Sequence, residues 1–158
     1  MEKAEKTNVM RLLDGRKIAY QAYEFEATSE TTGVDVARLI GKDVSCVFKT
    51  LVTRAKTGVI YVFVIPVAKE LDLKKAAQAV GEKSIAMLKS SELLPLTGYI
   101  HGGCSPIGMK KQYTTTLDDS AKACERIVFS AGRIGRQVEL TPPDLEKMVR
   151  LRYAALTE

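Results

Sequence analysis

The sequence predicts an α+β domain built on a mixed, curled, barrel-like β-sheet with helices at its periphery. Segments of strand-like alternation are interspersed with segments of helical spacing, without the regular strand, helix, strand repeat that a doubly wound sheet requires. With 158 residues, 46% of them apolar, the chain can bury one substantial core and hardly two. Residues 1–158 are therefore read as a single domain, and neither a linker-like tract nor an internal repeat divides them.

Val9, Leu12 and Leu13 recur at helical spacing between a Thr7 cap and Gly15, which predicts a first short helix. Ile18 to Phe25 reads as extended, and Val36, Ala37, Leu39 and Ile40, closed by Gly41, as a second helix. Cys46 to Arg54, a turn over Ala55 to Gly58, and Val59 to Pro66 form the clearest hairpin of the chain. Leu71 to Val80 places Leu73, Ala76, Ala77 and Val80 on one helical face, and Gly81 stops it. A short segment, Ile85 to Leu88, precedes a small helix at Ser91 to Leu94 that Pro95 is expected to break. Gly98 to Gly108 is a glycine-dense loop; Tyr113 to Leu117, Arg126 to Ser130 and Gln137 to Leu140 read as strands. Thr141, with Pro142 at the first helical position, opens a final helix expected to run through Tyr153.

Composition narrows the function classes. The start, MEKAEKTNVM, is charged, and the longest apolar run, Val59 to Ala68, is interrupted by Pro66 and is too short to span a bilayer, so a soluble, cytoplasmic protein without membrane contact is expected. Cys46, Cys104 and Cys124 are odd in number and lack CxxC spacing, which argues against a disulfide framework and a zinc knuckle. They are read as reduced thiols, Cys46 and Cys124 serving as small apolar residues. A net charge of +5 favours an anionic partner, nucleic acid being the obvious candidate. His101 is the one histidine, so a multi-histidine metal site is excluded and a Ser/His/Asp triad would have to run through it. No metal and no cofactor are expected.

Two stretches call for chemistry. Cys46 to Val52 reads CVFKTLV, a segment suited to burial in a sheet, yet Lys49 shares a face with Val47 and Leu51. Three readings compete: a snorkelling lysine on an edge strand, a buried ion pair, or a functional cation lining a pocket. Gly102 to Gly108 reads GGCSPIG, followed by Met109, Lys110 and Lys111. Paired glycines let a backbone approach a ligand, although the loop by itself reads first as a plain connection. Met109 stands where a phosphate-binding Walker loop needs lysine, so it is not one.

Taken together, CVFKTLV and GGCSPIGMKK resemble the signature of the YbaK family of free-standing aminoacyl-tRNA deacylases. The resemblance covers the whole chain: FKT at Phe48 to Thr50, LDLKKAA at Leu71 to Ala77, TGYIHGGCSPIGMKK at Thr97 to Lys111, the late strand ending at Ser130 with Gly132 after it, and PPDL at Pro142 to Leu145 occur in family order. It implies a fold similar to the insertion editing domain of prolyl-tRNA synthetase, and hydrolysis of the ester that joins a wrong amino acid to the tRNA 3′ terminus. The implied substrate is Cys-tRNA(Pro), with prolyl-tRNA synthetase as a partner. Cysteine is no larger than proline, and a pocket made for a larger ligand rejects a smaller one by only ~1–3 kcal/mol, so a second, chemical sieve is useful.

By the same resemblance Lys49 matches the essential lysine, Gly102 and Gly103 the paired glycines facing the ester, Tyr23 a pocket tyrosine, Ser130 a pocket serine and Thr50 a shaping neighbour. Tyr20 leaves the tyrosine assignment open by one register. The implied mechanism is substrate-assisted: the substrate's own thiol attacks its carbonyl and leaves as a thiolactone. Lys110, Lys111, Arg133 and Arg136 are either contacts to acceptor-stem phosphates or a solvated face. Cys104 and His101 are not expected to be nucleophile and base. Rival readings are an Ala-tRNA(Pro) or broader deacylase that positions a water, which usually offers a histidine in the late strand where Arg126 to Ser130 has none, and a catalytically silent tRNA-binding module.

Overall fold

In the computed structural model, which describes residues 5–28 and 30–158, four of the five described α-helices start at a side chain that caps their first turn: Thr7, Thr32, Asp72 and Thr141. Helix α1 (Asn8–Gly15) begins at Thr7, whose hydroxyl accepts from the Met10 amide, and buries Val9, Met10 and Leu13. Strand β1 (Gln21–Glu24) leads to α2 (Gly33–Ile40), opened by a Thr32–Asp35 capping box and closed by Gly41 in the left-handed region. A 3₁₀ turn (Val44–Cys46) enters the hairpin of β2 (Phe48–Ala55) and β3 (Ile60–Pro66). Asp72 caps α3 (Leu73–Val80); β4 (Ile85–Met87), α4 (Ser90–Thr97) and β5 (Thr114–Asp118) follow. A second 3₁₀ turn (Asp119–Ala123) enters β6 (Ile127–Arg133), then β7 (Arg136–Leu140), α5 (Pro142–Met148) and β8 (Leu151–Ala154).

The α+β class and the mixed strand pairing hold, with the strands distributed over two sheets. One has the order β4-β2-β3-β5-β8, antiparallel across β4-β2-β3 and parallel across β3-β5-β8; the other, β1-β7-β6, is antiparallel. An isolated parallel bridge, Val47 to Val128, joins them. Strand β3 is buried on both faces: Val62 and Val64 enter the main core with Leu13, Phe48, Leu117 and Phe129, while Phe63 and Ile65 pack against α3 with Ala76 and Leu156. That double burial is why this strand reads as a continuous apolar run rather than an alternation. A small third cluster, Ala37, Val47 and Val128, fills the seam between the sheets.

Three expectations are corrected. The last helix stops at Met148; Val149 is extended, and residues 151–154 pair in parallel with β5, Leu117 opposite Tyr153. Strand pairing and the packing of Leu151 and Tyr153 on the main core outweigh the helical continuation. Pro95 lies inside α4 and does not end it. The helix forgoes one amide bond there and is held beyond it by Thr97 Oγ1 donating to Leu93 O at 2.7 Å and Gly98 N donating to Leu94 O at 2.8 Å. Cys46 and Cys124 are not thiols but form a disulfide, their Cα atoms 5.9 Å apart. Their separation of 78 residues conceals that the entries to β2 and β6 lie side by side at the seam. Cys104 is free and buried.

Candidate active site

Beside the seam a cleft of about 400 Å³ opens, with residues of β2, α2, the 98–108 loop and the β6–β7 sheet on its walls. Phe48, Lys49, Thr50 and Leu51 form the β2 wall. The Lys49 side chain keeps 29% of its surface exposed, and its Nζ is 3.8 Å from Glu70 Oε1, a carboxylate that is itself largely in water. So loose a pair contributes at most ~1 kcal/mol, and Lys49 is neither a fully solvated edge lysine nor half of a buried ion pair. It is a part-sheltered cation facing a cleft. Next to it, the Thr50 hydroxyl oxygen is buried without a hydrogen-bond partner among the described residues, an arrangement that costs ~1–3 kcal/mol unless a ligand supplies the bond.

The expected pair of glycines divides its work. Gly102 lines the cleft with a φ of +86°, a conformation that disfavours any side chain. Gly103 does not line it: its amide donates to Ile100 O at 3.0 Å, and a Cβ there would lie 3.1 Å from Ile134 N and 3.3 Å from the Arg133 carbonyl carbon. Its smallness seats the loop against the β6–β7 turn. Cys104 follows on the cleft wall, buried, its thiol pushed up to about 12 by desolvation, with a Thr97 hydrogen bond offsetting part of that rise. Such a thiol is not a nucleophile near neutral pH. His101 also lines the cleft and is exposed.

Ser130 lies on the cleft, buried, its Oγ accepting from Gly132 N at 3.1 Å. Across the sheet it pairs with Gln137, and Gln137 pairs with Tyr23, so the three side chains share one face. Gln137 lines the cleft; Tyr23 stands one strand further out, its hydroxyl donating to Glu139 Oε1 at 2.9 Å and its ring 5.3 Å from Lys42 Nζ. Tyr23 and Glu139 together hold the Lys42 ammonium above its ordinary range. Tyr20 instead packs on the main core. Thr31, Thr32, Gly33 and Val36 at the start of α2 close the remaining side. A Cβ at Gly33 would lie 2.7 Å from Val67, so glycine lets α2 sit this close.

Sequence reasoning missed Gln137, Leu93 and the first turn of α2. The TTGVD capping box was readable, but nothing local says that this helix start faces Lys49. Of the basic candidates, Lys110, Lys111 and Arg133 are exposed. Lys110 Nζ reaches Pro95 O at 3.5 Å, and Lys111 borders a separate hollow of about 170 Å³ with Pro106, Gln112 and Met148 that none of the cleft residues lines. Arg136 is drawn inward, its Nε 3.5 Å from Glu24 and an Nη donating to Met10 Sδ at 3.8 Å.

The sequence model of the aminoacyl-tRNA editing domain matches residues 27–148. A protein of Enterococcus faecalis named as a candidate Cys-tRNA(Pro)/Cys-tRNA(Cys) deacylase, EbsC, is 44% identical over 155 residues, covering 97% of this chain and 94% of that one. The proline–tRNA ligase of Shouchella clausii is 30% identical over 118 residues, 74% of this chain and 20% of the ligase. Among solved structures, one described as a candidate trans-editing enzyme for prolyl-tRNA synthetase superposes with a TM-score of 0.84 at 24% identity over 98% of this chain and 99% of its own, a likeness that shows the fold alone. With the domain match spanning most of the chain and the cleft built from the residues that carried the resemblance, the chain belongs to the aminoacyl-tRNA editing domain family, in its YbaK-like group.

Proposed function

We propose that this editing-family deacylase acts in trans on Cys-tRNA(Pro), and that the substrate's own thiol is the nucleophile. The observation that carries the reading is the composition of the cleft: a part-sheltered lysine and a buried thiol, kept protonated by desolvation, line the same space. The chain thus offers charge and position, and the nucleophile is left to the substrate. In the proposed reaction the cysteinyl sulfur, having lost its proton, attacks the ester carbonyl carbon. The bond from that carbon to the ribose 3′ oxygen then breaks, the oxygen takes up a proton, and the amino acid leaves as a four-membered thiolactone that water opens. Lys49 stabilises the negative charge that develops on the carbonyl oxygen. The unpartnered Thr50 hydroxyl and the Gly102 backbone border the same space, and Ser130 and Gln137 present polar groups from the opposite wall. Tyr23, at the rim, is assigned to the terminal nucleoside, and Gly103 acts by seating its loop.

Aminoacyl-tRNA is made and consumed where ribosomes work, so the cytoplasm is the proposed location; among the described residues no helix is long and apolar enough to cross a membrane. Prolyl-tRNA synthetase, whose product the reaction would correct, is the proposed protein partner. Single-turnover deacylation of cysteinyl-, seryl- and alanyl-tRNA(Pro) tests the reading. Serine is nearly isosteric with cysteine but a far poorer nucleophile, so its ester should be cleaved much more slowly, and a thiolactone should be trapped before free cysteine appears. Comparable rates for the three esters would assign the attack to a water positioned by the protein, and no cleavage of any would leave a tRNA-binding module.

A further inference from the structure

We infer that the Cys46–Cys124 disulfide is a reversible thiol-exchange site that sets the fit between the two walls of the cleft. Its ligand class is a small thiol or a dithiol reductase. Cys46 ends the 3₁₀ turn before β2 and lies three residues ahead of Lys49; Cys124 follows the turn before β6 and lies six ahead of Ser130. The bond therefore ties the strand carrying the cleft's cation to the strand carrying its serine, on different sheets. At the surface end of the seam the bond is joined by the single bridge from Val47 to Val128 and the small cluster these two valines form with Ala37, while deeper in, Phe48 of β2 and Phe129 of β6 belong to the same main core. Both cysteines are half-buried and flanked by exposed residues, Ser45 on one side and Ala123 and Glu125 on the other, so an attacking thiolate can reach either sulfur.

The inference rests on the proposed function for its setting. Aminoacyl-tRNA is found in a thiol-reducing compartment, where the disulfides of mesophilic proteins are mostly transient, catalytic or redox-sensing. Exchange is balanced as follows. A thiolate RS⁻ attacks one sulfur, the S–S bond breaks, and the other cysteine leaves as a thiolate that is protonated. A second RS⁻ attacks the mixed disulfide, releasing RSSR and the second cysteine, also protonated. The chain gains two electrons and two protons. With the bond closed, the walls are held in the geometry described above; with it open, the strand entries ahead of Lys49 and Ser130 lose their covalent tie and rely on the bridge, its small cluster and the shared core beneath, and the reacting ester is positioned less tightly.

The test uses the whole chain equilibrated in glutathione buffers of graded ratio, unfolded and alkylated to count thiols, with parallel samples freed of buffer thiols for single-turnover deacylation and hydrogen exchange. Oxidised protein should show one alkylated cysteine, Cys104, and fully reduced protein three. The interconversion should be reversible, reduction should lower the deacylation rate by about threefold or more, and exchange should rise over residues 44–52 and 124–131. Cys46→Ser and Cys124→Ser should give the reduced rate in every buffer. Three alkylated cysteines even in excess oxidised glutathione would overturn the site. Equal rates and equal exchange in the two redox forms would overturn its coupling to the cleft. If neither form cleaves any aminoacyl-tRNA, the proposed function fails, and the thiol count with hydrogen exchange still decides the exchange site.

Discussion

The Lys49 ammonium makes one loose contact, to a carboxylate that is itself in water, so its removal should hardly disturb the fold. Lys49→Ala is expected to unfold within ~1 kcal/mol of the parent and to lose roughly 10²–10³ in single-turnover rate, the usual effect of deleting one preorganised electrostatic contact. Lys49→Arg should recover only part of that rate, since a planar guanidinium cannot occupy the place of a compact ammonium. Near-parental rates for the alanine variant, with its circular dichroism unchanged, would remove the lysine from the chemistry. Cys104 offers the opposite case, a group in the cleft that the reaction does not use. Burial pushes its folded pKa up to about 12 from an ordinary 9.0, so above pH 9 the unfolded chain gives up a proton that the native state retains. Stability should therefore fall between these two values as pH rises, and Cys104→Ser, which lacks that ionisation, should narrow its stability gap to the parent over the same interval. Denaturant midpoints at pH 8 and pH 10.5 measure this, and turnover of Cys104→Ser at neutral pH should be close to normal.

Two glycines show how elements are brought to the cleft. A methyl group at Gly33 would sit 2.7 Å from Val67, so Gly33→Ala has to move α2 off the strand end beneath it and widen the cleft. A cost of ~1–3 kcal/mol, the range of overpacked sites, is expected together with a raised KM, readable in thermal melts and steady-state kinetics. Gly103→Val should be worse than Cys104→Ser for a different reason than its motif suggests: it would press on the backbone of Arg133 and Ile134 rather than on the ester. At this scale, what the sequence could reveal depends on how local the cause is. Thr7, Gly41, Gly81 and Thr141 mark helix ends by chemistry within a turn or two, and those ends were legible. Lys49 was conspicuous because a charge interrupts an apolar strand. Gln137 was not, because RQVEL alternates like any strand with one wet face, and only pairing with Ser130 and Tyr23 turns that face to the cleft. Strand β8 and the disulfide were hidden for the same reason: each is decided by a partner far along the chain, Leu117 for Tyr153 and Cys124 for Cys46.

Across the whole molecule the excess of 24 basic over 19 acidic residues is modest, and several of the basic side chains are engaged with partners within the fold. Arg136 is turned to Glu24 and Met10, Lys42 to Glu139 and Tyr23, and Arg54 to Glu92, leaving Lys110, Lys111 and Arg133 as the exposed candidates among those first read from the sequence. A polyanion bound through so few contacts should be held weakly and with a shallow salt dependence. In the proposed reaction the logarithm of kcat/KM is expected to fall linearly with the logarithm of salt concentration, each neutralised phosphate contributing a slope of about −0.7 to −0.9. Lys110→Ala and Lys111→Ala should each flatten that slope by nearly one such step without changing the single-turnover rate at saturating tRNA, because neither residue lines the cleft. Arg136→Ala should leave the slope as it is and lower the melting temperature instead, since the contacts it loses lie inside the fold. A salt slope that Arg136→Ala flattens and the lysine variants do not would mean that the tRNA approaches across β7 and displaces Glu24 from the arginine, rather than passing over Lys110 and Lys111.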